Sequence, residues 1–274
     1  MRSIPVMILC GGKGTRLYEE TEFRPKPMVE IGGRPILWHI MKLYSAYSFK
    51  EFILCLGYKG NMIKDFFLNY HYYNSDLTVQ LGNPSKICYH RNNPEENWKI
   101  RLVDTGEAAQ TGTRIMRARD YLGNAEHFCL TYGDGIGDMD LKKLLAFHIK
   151  HGKIGTVTGV RPPGRFGEMC INRYGQAVEF NEKPQVSEGI INGGFFIFAR
   201  EFIERYLDTY RGDQLILERE PLQKLSRDGQ LMVFVHEGFW QPMDTYRDYL
   251  ALNEMHNKGS FSWIGKGRSI HGRK

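Results

Sequence analysis

The sequence predicts an α/β protein with a Rossmann-like, mostly parallel sheet that is flanked by helices and carries a small antiparallel extension. Three observations support this fold. Short apolar runs at residues 4–10 and 52–56 are each followed by a glycine, as is typical of buried strands. Apolar residues at helical spacing lie between these runs, and the strand–helix alternation continues to about residue 150. Such alternation predicts a parallel sheet covered by helices on both faces.

The elements of the first half follow from apolar runs and from helical periodicity. Pro35 suits the first turn of a helix, and Asp140 suits an N-cap or first-turn position. The polar, aromatic-rich stretch after residue 70 has no assigned element up to residue 97. We expect strands at 4–10, 52–56, 100–103 and 127–132, and helices at 35–44, 61–70, 113–121 and 140–150.

The second half changes character, because its strands are short and separated by turn residues, which indicates an antiparallel or mixed extension of the sheet. No linker or repeat is evident, so residues 1–258 are treated as a single domain, followed by a basic tail at 259–274. We expect strands at 155–160, 169–171, 177–180, 195–199 and 231–235, and helices at 201–207, 215–226 and 246–258.

Composition excludes several classes of protein. The chain has 274 residues, of which 42% are hydrophobic, and can bury a large core. Much of the net charge of +6 comes from residues 266–274, and no motif for reading a nucleic acid is present, so we expect no nucleic-acid partner. No apolar segment reaches membrane-spanning length and no signal pattern is present, so we expect a cytoplasmic enzyme without membrane contact. The five cysteines form no C-x-x-C pair, which argues against a disulfide framework or a zinc site.

A glycine-rich loop follows the first predicted strand, in the stretch LCGGKGTRLYEETEFRPKPM. Its glycines allow backbone N–H groups to form a concave nest for phosphate. No Gly-Lys-Ser or Gly-Lys-Thr closes the loop, which excludes a P-loop, and Leu17 stands at the third-glycine position of a dinucleotide fingerprint. The forked guanidinium of Arg16 and the ammonium of Lys26 suit a polyphosphate. A glycine-rich turn with surface cations remains an alternative at this point.

The motif G-G-x-G-T-R-L followed by K-P resembles the signature of the sugar-1-phosphate nucleotidyltransferases. Further blocks, among them LVDTGEAAQTGTR, TYGDG, NEKP, INGGFF and GFWQPMDTYRD, are similar to those of the cytidylyltransferase branch of that family, over about residues 3–258. The resemblance implies transfer of a cytidylyl group from CTP to α-D-glucose 1-phosphate with Mg²⁺, giving CDP-glucose and pyrophosphate. It also implies a nucleotide-binding half at about 1–150, a sugar-binding half at about 151–258 and, as in related enzymes, a homo-oligomer.

The resemblance also implies roles for the residues that match the family's motifs. Arg16 and Lys26 would be the catalytic cations. Thr111 and its neighbours open a predicted helix, whose first amides favour negative charge. The residues expected to bind the nucleotide are Leu9, Cys10, Gly11, Gly12, Gly14, Thr15, Thr111, Gly112, Arg114 and Gly133.

Formation of a nucleotide sugar brings two polyanions together, so cations and a metal are the expected catalysts, with carboxylates as metal ligands. Asp134 follows a predicted buried strand, and Asp244 stands just before a predicted helix. Taken alone, each could be a turn or N-cap residue. The family's metal aspartates match these two positions, and Mg²⁺ commonly takes one or two carboxylates together with phosphate and water oxygens.

The sugar phosphate is expected at two further blocks. Glu182 and Lys183 belong to the E-K-P block, which without the resemblance would indicate an exposed turn. The family's sugar-phosphate site matches this block, which implies Lys183 at the phosphate and Glu182 at a sugar hydroxyl. Asn192 is expected at another hydroxyl, although Asn-Gly also marks ordinary turns.

Two alternatives to the cytidylyltransferase function stay open. Glycine spacing does not distinguish cytosine from uracil or thymine, so a thymidylyl- or uridylyltransferase acting on the same sugar phosphate is the first. The second is a non-catalytic sugar-nucleotide sensor. Such a sensor is expected to have lost a catalytic cation or a metal acid, whereas Arg16, Lys26, Asp134 and Asp244 are all present.

Overall fold

The computed structural model of the protein describes residues 4–82, 86–90, 97–161, 168–171, 176–181, 189–207 and 209–260. In chain order, its strands are β1 (Val6–Cys10), β2 (Glu30–Ile31), β3 (Arg34–Pro35), β4 (Glu51–Leu56), β5 (Leu77–Val79), β6 (Ile87–Tyr89), β7 (Lys99–Asp104), β8 (His127–Tyr132), β9 (Gly135–Gly137), β10 (Gly155–Val160), β11 (Glu168–Ile171), β12 (Ala177–Asn181), β13 (Ile191–Ala199), β14 (Leu231–His236) and β15 (Trp240–Pro242).

The α-helices of these residues are α1 (Tyr18–Thr21), α2 (Ile36–Ala46), α3 (Gly60–Leu68), α4 (Tyr70–Asn74), α5 (Thr111–Ala118), α6 (Leu141–His151), α7 (Glu201–Tyr206), α8 (Glu220–Arg227) and α9 (Tyr246–Asn257). Short 3-10 helices lie at Thr15–Leu17, Lys26–Met28, Arg119–Leu122 and Thr209–Gln214. None of the helices among the described residues combines the length and the apolar character that a membrane span requires.

Seven strands form the main sheet, in the spatial order β14-β10-β13-β8-β1-β4-β7. Neighbouring strands pair in parallel except at β13, which is antiparallel to both β8 and β10. The small pairs β2–β3, β5–β6, β11–β12 and β9–β15 are antiparallel. The predicted fold class is therefore confirmed, including its antiparallel extension. The sheet draws strands from both predicted halves of the chain, and the division near residue 150 stays a prediction.

The central strands of the main sheet are buried on both faces, and successive side chains of each strand point to opposite faces. Val6 and Ile8 of β1 belong to a core cluster that includes Leu37 of α2. Met7 and Leu9 belong to a second cluster, on the other face, that includes residues of α5, α7 and α8. A strand buried on both faces shows a continuous apolar run instead of alternation, which explains why the sequence predicted these strands well.

One predicted helix was wrong at its start. Helix α8 begins at Glu220 instead of residue 215, and Pro221 occupies its first turn, where proline is favoured. Residues 217–219 before it form a turn, and the carbonyl of Leu215 accepts hydrogen bonds from the amides of Gly112 and Thr113. The apolar residues Leu215 and Leu217 are buried beside α5. Their spacing is compatible with one more turn of α8, which is why the sequence predicted a helix there.

Strand β13 also extends beyond its predicted range, since it begins at Ile191 and includes the glycine pair at 193–194. Ile191 and Asn192 pair with Val160 and Gly159 of β10 beyond a register shift. Through this pairing, β13 extends to the edge of the sheet where β1 and β8 end. The loops after β1 and β8 lie at the same edge.

Two histidines, His148 and His151, contact the hydroxyl of the buried Thr156 of β10, and a third, His127, contacts His148. The Nδ1 atom of His148 lies 2.7 Å from Thr156 Oγ1, and its Nε2 atom lies 3.1 Å from His127 Nδ1. His151 Nε2 lies 2.7 Å from the same hydroxyl. Burial, followed by the proximity of His127 and His151, lowers the pKa of His148 from 6.5 to about 3. His148 is therefore neutral in the folded protein at pH 7.

Acid should destabilise the protein through His148. Because its pKa is lower in the folded chain, its contribution to stability is complete above pH 6.5 and is lost as the pH falls from 6.5 toward 3. Between these values, the free energy of unfolding of His148→Gln should fall less steeply than that of the wild type, by up to about 1.4 kcal/mol per pH unit. Urea unfolding at a series of pH values measures both slopes. The exposed His90→Gln is the control, and equal slopes for wild type and His148→Gln would contradict the prediction.

Candidate active site

A cavity of about 480 Å³ lies at the sheet edge where β1 and β8 end. Such edges are where open α/β sheets place their ligands. Gly112 is not among the residues that line this cavity, and Glu182 and Lys183 lie outside the described residues. The cavity brings together the following predicted site residues: Leu9, Cys10, Gly11, Gly12, Gly14, Thr15, Arg16, Lys26, Thr111, Arg114, Gly133, Asp134, Asn192 and Asp244.

A cluster of four charged side chains lies in this cavity. The ammonium of Lys26 donates to Asp134 Oδ2 and to Asp244 Oδ1, both at 2.6 Å. The guanidinium of Arg16 pairs with the other carboxylate oxygen of Asp244 at 3.1 Å. Lys26 is enclosed, with only 10% of its side chain exposed, whereas 72% of the Arg16 side chain is exposed. Arg16 can therefore reach a ligand in the cavity without being released from a buried position.

The two aspartates keep Lys26 charged. Burial lowers the pKa of Lys26, but the negative charge and hydrogen bond of Asp134, together with those of Asp244, outweigh burial and raise it. A buried ammonium stays ionised only when carboxylates pair with it in this way. The cavity therefore holds a permanent positive charge at Lys26.

Lys26 reaches this position because the glycine-rich segment folds back on itself. Pro25 and Pro27 flank Lys26 in a 3-10 turn, and the fixed backbone angle of proline holds that turn. Gly14 has a φ of +63°, and a Cβ at this position would lie 2.8 Å from Thr21 Cγ2 and 3.1 Å from Lys26 Cβ. Only glycine therefore fits where the loop crosses the stem of Lys26.

The aspartates meet because β9, which follows Asp134, pairs with β15, which precedes Asp244. The amide of Met243 donates to the carbonyl of Asp134 at 2.9 Å. The N-cap of α9 is Thr245, not Asp244, and Asp248 completes a capping box with it. Asp248 Oδ2 also accepts from the amide of Asp244 at 3.1 Å. The backbone of Asp244 is fixed by this cap while its carboxylate turns to Lys26.

The donor set of the cavity suits a divalent cation. Asp134 and Asp244 supply hard carboxylate oxygens that converge on one point, which is the ligand type that Mg²⁺ prefers. No group of three or more His, Cys, Asp or Glu side chains within the described residues could hold a metal ion. A cation at this place would therefore need phosphate or water oxygens to complete its ligands. Cys10 also lines the cavity, but burial raises the pKa of its thiol well above the ordinary range.

Arg114 connects three loops at the sheet edge. Its guanidinium donates to the carbonyls of Leu56, after which β4 ends, of Gly106 and Glu107, which follow β7, and of Gly11, which follows β1. It also donates to the hydroxyl of Thr105 at 2.8 Å. A Cβ on Gly11 would lie 2.0 Å from this guanidinium. Gly11 is therefore required by the packing of Arg114, and the predicted contact of Arg114 with the nucleotide stays a prediction.

The start of α5 differs from the predicted anion site. The amides of Gly112 and Thr113 donate to the carbonyl of Leu215, at 2.9 and 3.2 Å. These two donors are occupied by the protein itself and cannot bind a phosphate in this arrangement. A Cβ on Gly112 would lie 2.7 Å from Leu215 Cγ, so this glycine allows close packing. Among the predicted residues of this segment, Thr111 and Arg114 line the cavity.

Residues that the sequence did not single out complete the cavity. Tyr132, which precedes Gly133, lines the cavity. Trp240 also lines it, and its indole N–H donates to the carbonyl of Gly193 at 2.8 Å. Both belong to the motif blocks that contain Asp134 and Asp244, so the sequence could have indicated them through these motifs. Glu218 accepts hydrogen bonds from Thr111 and Tyr132. No motif marked Glu218, which follows the apolar residues 215–217 just before α8.

Comparison with known proteins agrees with this geometry. The family model described as nucleotidyl transferase matches residues 5–259. The glucose-1-phosphate cytidylyltransferase of Salmonella typhimurium is 48% identical to this chain over 257 residues, covering 94% of this chain and 97% of that protein. The probable glucose-1-phosphate cytidylyltransferase of Bacillus subtilis is 43% identical over 265 residues, covering 94% and 98%.

Solved structures share the fold. HddC from Yersinia pseudotuberculosis, in crystal structures that include a complex with GMP-PN, is similar to this chain with a TM-score of 0.67 at 25% identity, covering 92% of this chain and 99% of that one. A putative glucose-1-phosphate thymidylyltransferase from Bacillus anthracis has a TM-score of 0.64 at 16% identity, covering 92% and 95%. At that identity the likeness concerns the fold alone.

Replacing Arg114 with lysine should destabilise the folded chain. An ammonium lacks the planar fork that serves several acceptors at once, so some of the buried carbonyls would lose their donor. We expect the free energy of unfolding to fall by about 2–4 kcal/mol for Arg114→Lys. Denaturant unfolding measures this change. The matched control is Arg119→Lys, at a surface pair with Asp120, which should change stability by less than about 0.5 kcal/mol. Equally small changes in both variants would contradict the role of Arg114.

Proposed function

Because the chain belongs to the nucleotidyl transferase family, we propose that it transfers a cytidylyl group from CTP to α-D-glucose 1-phosphate, giving CDP-glucose and pyrophosphate. The observation that carries this proposal is the identity of 43–48% to glucose-1-phosphate cytidylyltransferases over 94% of the chain. The charges of the cavity are compatible with it. Self-association of the chain stays a separate prediction.

The reaction needs positive charge more than it needs a proton-transferring group. An oxygen of the sugar phosphate attacks the α-phosphorus of the nucleotide in line, and pyrophosphate leaves on the opposite side. Both reactants are polyanions, so their mutual repulsion and their relative orientation set the barrier. Lys26 and Arg16 supply buried and exposed positive charge, respectively, within one cavity.

Lys26 and Arg16 differ in what they can do in the reaction. Lys26 is enclosed between Asp134 and Asp244, so its position is set before a substrate arrives. Preorganised charge of this kind stabilises a transition state without reorganising. Arg16 is exposed and presents a planar fork that suits phosphate oxygens. We assign Lys26 to the phosphates near the reacting phosphorus and Arg16 to the departing pyrophosphate.

Asp134 and Asp244 would hold the Mg²⁺ ion. When bound, Mg²⁺ would neutralise phosphate charge next to the reacting phosphorus. The two carboxylates are the hard ligands available at the cavity among the described residues, and phosphate and water oxygens would supply the others. The same two carboxylates pair with Lys26, so they would contact both the lysine ammonium and the Mg²⁺ ion.

The substrates would occupy opposite sides of this charge cluster. The glycine-rich loop from Leu9 to Gly14, together with Thr15, lines the side assigned to the nucleotide. Asn192 lines the other side, where its Oδ1 accepts from the amide of Gly194 and its Nδ2 faces the cavity wall. Glu182 and Lys183 remain proposed ligands of the sugar phosphate.

The identity of the base depends on the relatives and not on the glycine-rich loop. A uridylyl- or thymidylyltransferase would use the same cations and the same sugar phosphate. A non-catalytic sugar-nucleotide sensor is disfavoured, because Arg16, Lys26, Asp134 and Asp244 are brought together at 2.6–3.1 Å. A sensor would have no need to retain this charge cluster.

Nucleotide preference tests the proposed function directly. The purified chain should release pyrophosphate from CTP and glucose 1-phosphate at least about tenfold faster, as kcat/KM, than from UTP, dTTP, ATP or GTP, because a site that hydrogen-bonds a base discriminates against bases lacking the matching groups. Coupled pyrophosphate detection with Mg²⁺ measures the rates. A preference for UTP or dTTP would replace the proposal with the first alternative, and no release with any nucleotide would support the sensor.

Removing Lys26 or Asp134 should strongly lower turnover without unfolding the chain. We expect Lys26→Ala and Asp134→Ala to lower kcat by at least about 100-fold, the usual effect of losing one preorganised electrostatic contact. Circular dichroism checks that both variants fold. Lys258→Ala, which removes an exposed lysine paired with Glu254, should retain wild-type turnover. Near-normal turnover in either site variant would overturn the assignment.

A further inference from the structure

Glu218 accepts hydrogen bonds from two residues that line the cavity, Thr111 and Tyr132. It stands just before α8, and each of its carboxylate oxygens accepts one short hydrogen bond. Thr111 Oγ1 donates to Oε2 at 2.7 Å, and the hydroxyl of Tyr132 donates to Oε1 at 2.5 Å. Thr111 and Tyr132 line the cavity, whereas Glu218 is not among the described residues that line it. One carboxylate thus orients two hydroxyl groups that face substrate.

We propose that Glu218 is a positioning residue that draws the hydroxyl protons of Thr111 and Tyr132 away from the cavity, so that both oxygens face the substrates as hydrogen-bond acceptors. This inference rests on the proposed function. It adds a requirement for substrate recognition: the substrate groups that contact these two oxygens must be hydrogen-bond donors, either hydroxyl or amino groups.

The hydrogen-bond capacity of each hydroxyl supports this polarity. A hydroxyl has one proton and two acceptor sites, and an ionised carboxylate only accepts. The proton of Thr111 is directed to Glu218, and its oxygen also accepts from the amide of Leu217 at 2.9 Å. One acceptor site of Thr111 therefore remains. No proton is left on this hydroxyl for a substrate.

Tyr132 has the same polarity. Its proton is directed to Glu218, and its oxygen accepts from Asn192 Nδ2 at 3.3 Å. The orientation of the Asn192 amide is fixed, because its Oδ1 accepts from the amide of Gly194 at 2.8 Å. The phenol oxygen therefore presents acceptor capacity to the cavity.

The two oxygens belong to different sides of the cavity. Thr111 opens α5, beside the loop assigned to the nucleotide. Tyr132 ends β8 next to Asn192 on the sugar side, and a Cβ on Gly194 would lie 2.7 Å from its ring. Glu218 therefore couples the two substrate sites through one charge. On the nucleotide side the matching donor is a ribose hydroxyl or the amino group of the base, and on the sugar side it is a hydroxyl of the hexose.

The variant Glu218→Gln tests this polarity with little change of shape. A glutamine offers one acceptor oxygen and one donor amide, so the hydroxyl that meets the amide must turn its proton toward the cavity. The test compares kcat/KM for glucose 1-phosphate with that for its monodeoxy analogues, and kcat/KM for CTP with that for 2′-deoxy-CTP, 3′-deoxy-CTP and UTP. Each ratio is determined for the wild type and for Glu218→Gln. The wild type should disfavour at least one analogue on each side by about tenfold, and Glu218→Gln should reduce at least one of these ratios by about tenfold.

These ratios separate positioning from a merely structural role. A residue that only holds the segment before α8 would lower stability or lower kcat/KM for all substrates by the same factor, leaving the ratios unchanged. The matched control is Glu220→Gln, whose carboxylate pairs with Arg211 at the surface at 2.6 Å, and which should leave the ratios and the turnover unchanged.

Two further variants keep the inference testable if Glu218→Gln fails to fold. Thr111→Val should remove the discrimination on the nucleotide side, and Tyr132→Phe should remove it on the sugar side, each without affecting the other. An active wild type whose ratios are unchanged in Glu218→Gln, or in both hydroxyl variants, overturns the role of Glu218. A wild type that is inactive with CTP and glucose 1-phosphate overturns the proposed function itself, which is a distinct result.

Discussion

A buried lysine between two aspartates is the interaction on which the rest of the cavity depends. Lys26 comes from the glycine-rich segment, Asp134 from the end of β8 and Asp244 from the turn before α9, so one ammonium joins three distant segments. Removing such charges from water is costly unless they are paired. Their pairing at 2.6 Å therefore restricts the loop, the sheet edge and the last helix to one mutual arrangement.

Around this centre, other charged side chains hold the loops and hydroxyl groups of the cavity in place. Arg114 ties the loops after β1, β4 and β7 together through carbonyl groups. Asp248 fixes the backbone of Asp244, and Glu218 orients Thr111 and Tyr132. Each support uses a charge to satisfy several polar groups at once, which is stronger than the same number of neutral contacts. The geometry of the cavity is thus set before a substrate binds.

Local patterns explain both what was predicted and what was missed in the fold. Strands such as β1 and β8 were predicted because burial on both faces leaves a continuous apolar run. The start of α8 was wrong because Leu215 and Leu217 continued its apolar spacing while burying themselves beside α5. Arg16, Lys26, Asp134 and Asp244 could be named from motifs, whereas Glu218 could not, since it belongs to no motif.

The sequence by itself determined the fold class, the succession of the main-sheet strands and longer helices along the chain, and the family, because apolar periodicity and motif order are properties of the chain. It also named Arg16, Lys26, Asp134 and Asp244 as one functional set. Only the tertiary structure decided that Lys26 lies between the two aspartates, that Gly11 is needed for Arg114 and that the first amides of α5 are occupied. Those facts depend on contacts between segments more than a hundred residues apart. A local sequence pattern does not specify which distant residue a charged side chain or a backbone amide will contact.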